Sequence, residues 1–308
     1  MLFFLLGAIS FLSLKTNNLK NETVLEIPKN TSLKDIAHIL QDHKVIDNKF
    51  IFISYAFLTG KYNLLKAGEY FFNSSDNNKT IITKLFKNKI HLYKIIIPEC
   101  FSNIQINRKL DNSIFVLDKI YEKYEEGDFF PDTYFYSKDT KKSEILKKMH
   151  NLADAKFSEA MVDKRERSDL KLNKKEILIL ASMVEAEAKN EKEKSIIASV
   201  FLNRIKLGMK LQSDPTIIYG INKTVYMDRP ITKKDILLDH PWNTYKILGL
   251  PATPICNVGY DSIKAVLNSE KTEYLYFVAD GKGGHFFSKT YEEHQNFIKI
   301  LRKNSKIN

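Results

Sequence analysis

Two glutamates at the end of an apolar run, followed by a polar loop, are the residues of this sequence best suited to acid chemistry. Glu185 and Glu187 follow the apolar segment 178–184, and the polar segment 212–216 comes about one helix later. Burial against apolar surface favours the neutral form of a carboxyl group, which can then donate a proton near neutral pH. Cleavage of a glycosidic bond requires a proton donor of this kind. The pattern therefore predicts a carboxylic acid at the end of a buried helix.

Helical spacing favours Glu185 over Glu187 as that acid. The helix is predicted over 174–189, and residues three or four apart share one face of a helix. This spacing places Glu185 beside Ala181 and Ser182, whose small side chains leave space for a substrate, whereas Glu187 falls near the more solvated helix end. The alternative is that both are ordinary surface glutamates at a helix terminus.

Other segments carry groups suited to a sugar ligand or to the support of such a site. The loop 212–216 places short hydrogen-bonding side chains around a proline, which fixes the backbone. The segment 242–245 offers aromatic rings that could stack on sugars and an amide that could bind acetamido groups. A hairpin is predicted over 275–288, packed over the cleft. Asn203 and Arg204 interrupt an apolar helical pattern, either as satisfied core residues or as groups that orient the site.

Composition indicates a folded protein and argues against a nucleic-acid ligand. The chain has 308 residues, 44% of them hydrophobic, and a net charge of +11. No run of five or more basic residues occurs, and no nucleic-acid-binding motif is present. Cys100 and Cys256 lack metal-ligand spacing, and we predict two buried thiols in preference to a disulfide.

The first residues form an uncharged apolar stretch. The stretch 2–14 is shorter than the roughly 20 apolar residues that span a bilayer. It also lacks the basic start and the cleavage site of a secretory signal. We interpret residues 1–18 as a short or truncated membrane anchor, which places the rest of the chain outside the cytoplasm. An N-terminal strand in a soluble core is the alternative.

Two domains are predicted after this stretch. Residues 24–90 show a short strand, a helix that starts at Ser32 with a capping-box pattern, and a second helix over 49–58. The domain over 91–305 begins with a strand and contains the long apolar helix, which Asn173 is expected to cap. The mixture of helices and strands predicts an α+β fold.

The order and spacing of these motifs resemble the YceG-like family, the endolytic murein transglycosylases, over essentially the whole chain. The motifs that carry the resemblance are, in chain order, 181–187 (ASMVEAE), 200–204 (VFLNR), 211–216 (LQSDPT), 219–220 (YG), 243–245 (NTY), 249–251 (GLP), 254–255 (PI), 274–278 (YLYFV), His285, 287–288 (FS) and 293–294 (EH).

The resemblance implies an α+β protein with an N-terminal anchor over 1–18, a LysM-like glycan-binding subdomain over 24–90 and a mixed α+β catalytic domain over 91–305. It implies a single-pass protein of the cytoplasmic membrane that faces the extracytoplasmic side. Its activity would be lytic cleavage of MurNAc–GlcNAc bonds within nascent peptidoglycan strands, which leaves 1,6-anhydroMurNAc ends and terminates elongation. Peptidoglycan synthases and elongation proteins are the implied partners, and no cofactor, metal or nucleic acid is expected.

The resemblance also places the family's catalytic glutamate on Glu185. The side chains implied to line the cleft are Gln212, Ser213, Asp214, Thr216, Tyr219, Asn243 and Tyr245. In the expected mechanism one carboxyl group donates a proton to the glycosidic oxygen and then takes the proton of the muramyl 6-hydroxyl. A lysozyme-like hydrolase with Asp214 as second carboxylate and an inactive glycan-binding scaffold are the alternatives.

Overall fold

The chain divides into two compact units, one of residues 1–94 with 135–139 and one of residues 95–134 with 140–308. The structure, a computed structural model, describes residues 2–17, 19, 21–114, 116–117, 124–163, 171–188 and 190–304. Residues 1 and 18, the ends of the predicted anchor, lie outside the described residues, as does residue 305 at the end of the predicted second domain. The predicted domain boundaries stay predictions.

The first unit combines helices with an antiparallel pair of strands. Its elements are α1 (Leu2–Leu14), β1 (Thr23–Ile27), α2 (Leu33–Asp42), α3 (Lys49–Leu58), β2 (Gly68–Phe72) and α4 (Asn78–Phe86). Strands β1 and β2 pair with Leu25 opposite Tyr70. Because side chains alternate along a strand, Leu25 and Ile27 of β1 and Tyr70 and Phe72 of β2 all enter one buried core.

Side-chain caps fix where the helices of the first unit begin. Oγ of Ser32 accepts a hydrogen bond from the backbone N–H of Asp35 at 3.2 Å, which confirms the predicted start of α2. Oδ1 of Asn48 accepts from the N–H of Phe50 at 2.8 Å and so begins α3, whose bounds match the predicted helix over 49–58. Each cap satisfies a backbone N–H that has no partner within its helix.

Helix α1 is the only described part of the predicted anchor with regular structure. It has 13 residues, and within the described part of the chain no helix is both long and apolar enough to cross a membrane. The membrane anchor and the LysM-like character of residues 24–90 therefore stay predictions.

The second unit is mixed α and β, with a helical core. Its elements are β3 (Tyr93–Ile96), α5 (Asn103–Asp111), β4 (Val116–Leu117), β5 (Thr133–Tyr136), β6 (Thr140–Lys141), α6 (Lys142–Val162), α7 (Lys174–Glu187), α8 (Lys194–Lys206), α9 (Asp214–Asn222), α10 (Lys233–Leu237), α11 (Tyr260–Leu267), β7 (Tyr276–Ala279), β8 (His285–Ser288) and α12 (Tyr291–Asn304). Two of these strands, β3 and β5, also include residues that belong to the first unit. A short 3₁₀ helix, Glu191–Glu193, joins α7 to α8. The apolar side chains of α7, α8 and α11 form the core of this unit.

Several predictions for the second unit are confirmed. Asn173 caps α7 through a capping box with Glu176. Oδ1 of Asn173 accepts from the N–H of Glu176 at 3.0 Å, and Oε2 of Glu176 accepts from the N–H of Asn173 at 2.8 Å. Helix α8 ends at Lys206, and Gly208 follows with a left-handed φ of 65°. Strands β7 and β8 form the predicted antiparallel hairpin, with Tyr276 opposite Ser288.

The prediction of two free thiols is wrong, because Cys100 and Cys256 form a disulfide. The segments that carry them run beside each other: the N–H of Cys100 donates to the carbonyl of Asn257, and the N–H of Asn257 donates to the carbonyl of Phe101, both at 2.9 Å. These bonds bring the two Cα atoms to 4.8 Å across a sequence separation of 156, within the range that a disulfide bridges. A contact over this sequence separation leaves no local pattern.

Candidate active site

The two candidate acids lie on different sides of the last turn of α7. Residues two positions apart on a helix differ by about 200° in direction, so Glu185 and Glu187 cannot share one environment. The carboxyl group of Glu185 is buried within the protein, and that of Glu187 lies on the wall of a cavity.

Glu185 is fixed by an ion pair and a backbone hydrogen bond. Its Oε1 accepts from Nζ of Lys194 at 2.9 Å and its Oε2 from the N–H of Gly259 at 2.9 Å. The two charged side chains are only 4% and 5% exposed. Burial lowers the pKa of Lys194, but the hydrogen bond and charge of Glu185 outweigh it and leave the pKa raised. The open space predicted over the carboxyl group of Glu185 is therefore filled by protein groups.

A second carboxylate, half exposed, lies beside this buried pair. Oε2 of Glu99 lies 3.8 Å from Nζ of Lys194, and burial together with the charge of Glu185 raises the pKa of Glu99. The predicted small neighbour Ser182 turns to the backbone instead, because its Oγ donates to the carbonyl of Ile179 at 2.7 Å and accepts from the N–H of Ile255 at 3.0 Å.

Glu187 has the properties expected of a proton donor. Burial raises its pKa to about 7, and the charge of Asp214 acts in the same direction. A hydrogen bond from Oγ of Ser213 to its Oε1, 2.7 Å long, and the charge of His285 oppose the rise. A substantial fraction of Glu187 is therefore protonated near neutral pH, which is the condition for general acid catalysis.

The cavity beside Glu187 encloses about 320 Å³. Its polar and aromatic lining includes Glu187, Arg204, Gln212, Asp214, Tyr245, Tyr276, His285, Tyr291 and His294. Three of the side chains predicted to line a cleft therefore line this cavity together with Glu187: those of Gln212, Asp214 and Tyr245. The buried side chain of Ser213 does not line the cavity but hydrogen-bonds the Glu187 carboxyl group.

The loop before α9 presents its side chains because of how the helix begins. Asp214 and Pro215 start α9, where a proline costs no helical hydrogen bond, and Gln212 has a left-handed φ of 51°. Oη of Tyr245 donates to Oδ1 of Asp214 at 2.7 Å. Burial, followed by this hydrogen bond, raises the pKa of Tyr245, which stays a neutral donor. Asp214 and Tyr245 therefore form one edge of the cavity.

The remaining predicted site residues support the wall and do not line it. The hydroxyl of Thr216 donates to the carbonyl of Ser213 at 2.6 Å. Nδ2 of Asn243 donates to two carbonyls, those of Ile236 and Leu238, at 2.9 and 2.6 Å. Both side chains are fully buried, and their place on a glycan-binding surface stays a prediction.

Tyr219 faces a different acidic group. Its Oη donates to Oε2 of Glu126 at 2.9 Å, and Oε1 of Glu126 accepts from the N–H of Asn103 at 2.8 Å and from Nδ2 of Asn257 at 3.2 Å. Burial raises the pKa of Glu126 to about 7 despite these hydrogen bonds. The sequence analysis missed this carboxyl group, because nothing in the local pattern around residue 126 marks it as buried.

Arg204, whose role the sequence left open, is hydrogen-bonded to the backbone and also lines the cavity. Nε donates to the carbonyl of Leu275 at 2.6 Å and Nη1 to that of Leu211 at 2.9 Å, so the guanidinium holds the segments on either side of the cavity. It also lines the cavity and lies over the ring of Tyr276, 5.1 Å from its centroid. Asn203 supports the fold through the carbonyls of Thr272 and Tyr274.

No metal centre accompanies these groups in the part of the chain that the structure describes, where no cluster of three or more His, Cys, Asp or Glu side chains could hold an ion.

Comparison with known sequences identifies the family of the chain. A model of the YceG-like family matches residues 25–300. The endolytic murein transglycosylase of Bacillus subtilis strain 168 is 32% identical over 307 aligned positions, which cover 89% of this chain and 83% of that protein. The endolytic murein transglycosylase of Streptococcus pneumoniae D39 is 27% identical, and the alignment covers 97% of this chain but 61% of the pneumococcal protein.

A solved structure agrees with the sequence comparison. The 2.6 Å crystal structure of a YceG-like protein from Listeria monocytogenes superimposes with a TM-score of 0.57 at 32% identity, covering 90% of this chain and 99% of that one. The match to the family model over most of the chain, and relatives at this level of identity, establish that this protein belongs to the YceG-like family.

Proposed function

We propose that this protein is an endolytic peptidoglycan lytic transglycosylase, which cleaves MurNAc–GlcNAc bonds of nascent glycan strands and leaves 1,6-anhydroMurNAc ends. The names of the bacillary and pneumococcal relatives support the reaction class. The observation that carries the proposal is a carboxyl group, that of Glu187, on the wall of a polar and aromatic cavity with a pKa of about 7.

We assign the proton donor to Glu187. Protonated Glu187 gives its proton to the glycosidic oxygen, and GlcNAc leaves as the 6-hydroxyl of the muramyl residue closes on the anomeric carbon. An intramolecular nucleophile has a large proximity advantage and makes an activated water unnecessary. The assignment to Glu185 from sequence stays a prediction, but the ion pair with Lys194 and the bond from Gly259 leave that carboxyl group little access to a substrate.

The cavity wall supplies groups suited to a glycan. Gln212 can hydrogen-bond acetamido or hydroxyl groups, and Tyr245 and Tyr276 offer aromatic rings. A hydrolase would need a second carboxylate to activate water. Asp214 is the candidate for that role, although its acceptance of the Tyr245 hydroxyl gives it a structural use.

The cellular setting is part of the proposal. Action on peptidoglycan requires an extracytoplasmic domain, and the Cys100–Cys256 disulfide fits an oxidising compartment. We propose that residues 1–18 belong to a single-pass anchor in the cytoplasmic membrane, that residues 24–90 form a LysM-like glycan-binding subdomain, and that peptidoglycan synthases and elongation proteins are its partners.

Mass spectrometry of products from uncrosslinked glycan strands tests the reaction and the acid together. Wild type should produce anhydromuramyl ends, Glu187→Gln none, and Glu185→Gln should retain activity in proportion to its folded fraction. Reducing ends with added water, lost in Asp214→Asn, would indicate a hydrolase. Binding without cleavage by wild type would indicate a glycan-binding scaffold. Loss of activity in folded Glu185→Gln with retention in Glu187→Gln would return the acid to Glu185.

A further inference from the structure

The pair formed by His285 and Glu193 places an imidazole ring, oriented by a carboxylate, on the cavity wall. His285 begins β8, and Glu193 ends the 3₁₀ helix that follows α7. Oε2 of Glu193 lies 2.8 Å from Nδ1 of His285, and Oε1 accepts from the backbone N–H of the same histidine at 3.1 Å. The two side chains are 8% and 17% exposed. One carboxylate thus holds both the ring and the backbone of His285.

The turn of the hairpin brings His285 close to Glu193. A Cβ atom on Gly284 would lie 2.8 Å from Oε1 of Glu193 and 3.1 Å from Oδ2 of Asp280. Oδ1 of Asp280 in turn accepts the N–H of Gly284 at 2.9 Å. The close approach of the turn to the carboxylate therefore depends on a residue without a side chain.

The hydrogen bond to Glu193 sets the tautomer of His285. A carboxylate can only accept, so Nδ1 carries the proton, and in the neutral ring Nε2 is then an acceptor. No described residue forms a hydrogen bond with Nε2, and His285 lines the same cavity as Glu187. A carboxylate that orients a histidine and leaves its second nitrogen without a protein hydrogen bond among the described residues is the arrangement of a general base.

We propose that His285, oriented by Glu193, is a second catalytic residue, which accepts the proton of the muramyl 6-hydroxyl as that oxygen closes on the anomeric carbon. This inference rests on the proposed function, because it concerns the second proton of the same reaction. It replaces the expectation that a single glutamate transfers both protons.

The proton balance is complete with the two groups. Glu187 loses its proton to the departing glycosidic oxygen as the bond from the anomeric carbon to that oxygen breaks. The bond from O6 to the anomeric carbon forms, and the O6 proton passes to Nε2 of His285. The enzyme is left with an ionised Glu187 and a protonated His285, and one proton moved through solvent restores the starting state.

The experiment separates the ring nitrogen from the hairpin contact. In His285→Asn the amide nitrogen can still donate to Glu193, as Nδ1 does, but the variant lacks an equivalent of Nε2. We expect kcat for formation of anhydromuramyl ends to fall by about a hundredfold or more, as for loss of a general base, with KM within about threefold. In His285→Ala, added imidazole should restore part of the lost rate. His43→Asn, on an exposed histidine of the first unit, is the matched control.

Glu193→Gln tests the orienting role. Its amide nitrogen, placed against Nδ1, would turn the ring to the tautomer with a proton on Nε2, and we expect at least a tenfold loss of kcat. Folded His285→Asn with kcat within twofold of wild type, or His285→Ala without any imidazole rescue, would overturn the proposal while leaving the Glu187 assignment standing. Absence of anhydromuramyl ends from wild type would overturn the proposed function itself.

Discussion

The hydroxyl group of Ser213 donates a 2.7 Å hydrogen bond to Oε1 of Glu187. Ser213 is almost fully buried, and its own N–H donates to Oγ1 of Thr244 at 3.0 Å. Glu187, the proposed proton donor at the end of α7, is therefore held by the loop before α9, which also presents Gln212 and Asp214 to the cavity. The proposed acid and the predicted sugar-binding loop are joined by this hydrogen bond.

The first prediction concerns this hydrogen bond. Donation by Ser213 stabilises the ionised carboxyl group and so opposes the burial that raises the pKa of Glu187 to about 7. Ser213→Ala should let the pKa rise further, so that the alkaline limb of the pH–rate profile moves to higher pH. A hydrogen bond of about 1 kcal/mol corresponds to a displacement of up to about one pH unit. The profile of kcat/KM between pH 5 and 9 measures it.

The sign follows from the form that reacts. The proposed mechanism needs protonated Glu187, so the rate should fall as pH rises through its pKa, and a higher pKa should move that fall to higher pH. Thr31→Ala, in the first unit, is a control whose alkaline limb should stay in place, because its hydroxyl bonds only the carbonyl of Pro28 among the described residues. A limb that moves to lower pH in Ser213→Ala would contradict the assignment of Glu187 as the acid.

The second prediction concerns the buried ion pair. Glu185→Gln keeps an oxygen for the N–H of Gly259 but leaves the buried charge of Lys194 with only the half-exposed carboxylate of Glu99, 3.8 Å away. Breaking one side of a buried pair costs about 3–5 kcal/mol, and because Glu99 stays near Lys194, urea unfolding should show a loss at or below the lower end of that range. The double variant Glu185→Gln/Lys194→Met removes both charges and should lose less than the sum of the two single variants. Strict additivity would show that the two side chains do not interact.

Local sequence predicted the elements of the fold well because local interactions determine them. Ser32 and Asn173 cap the helices that they were expected to start, since the cap and the N–H that it accepts lie three residues apart. The β7–β8 hairpin followed from an alternating pattern around glycines. These features need only neighbours along the chain, and such neighbours are visible in the sequence.

The surroundings of the two glutamates depend on contacts that the local sequence cannot show. The spacing on α7 correctly indicated that Glu185 and Glu187 face different ways. Lys194 and Gly259, which occupy the space over Glu185, come from the next helix and from a loop 74 residues away. The open space expected over the carboxyl group of Glu185 is therefore occupied by these two residues, and the assignment of the acid to Glu185 stays a prediction. The disulfide was missed for the same reason.

The third prediction concerns that disulfide. Cys100 and Cys256 are separated by 156 residues, and a cross-link over a loop of more than 100 residues is expected to stabilise the folded state by about 4–5 kcal/mol in the chain-entropy model. Cys100→Ser/Cys256→Ser should unfold at lower urea concentration by a corresponding amount. Wild type in reductant should approach the variant, and the variant should be insensitive to reductant. Equal stability of oxidised and reduced wild type would exclude a stabilising cross-link.

The fourth prediction uses the buried carboxyl group of Glu126, whose pKa burial raises to about 7. In the unfolded chain a glutamate has a pKa of about 4.3, so between these values the folded state binds the proton more tightly. Stability falls with rising pH wherever the folded state holds more protons. The contribution of Glu126 is thus fully present below about pH 4 and is lost as the pH rises through about 7. Wild type should have a lower free energy of unfolding at pH 8 than at pH 5.

Glu126→Gln should reduce that difference, because the amide is neutral at both pH values. The side-chain oxygen can still accept from the N–H of Asn103, and the amide can donate to the hydroxyl of Tyr219. Glu187→Gln removes another carboxyl group with a pKa of about 7, so the two single variants should each remove part of the dependence and the double variant more than either. Because Glu126 lies outside the cavity lining, its variant should keep the alkaline limb of the pH–rate profile, whereas Glu187→Gln should have no activity to titrate. An unchanged pH dependence of stability in Glu126→Gln would mean that this carboxyl group is already ionised in the folded protein.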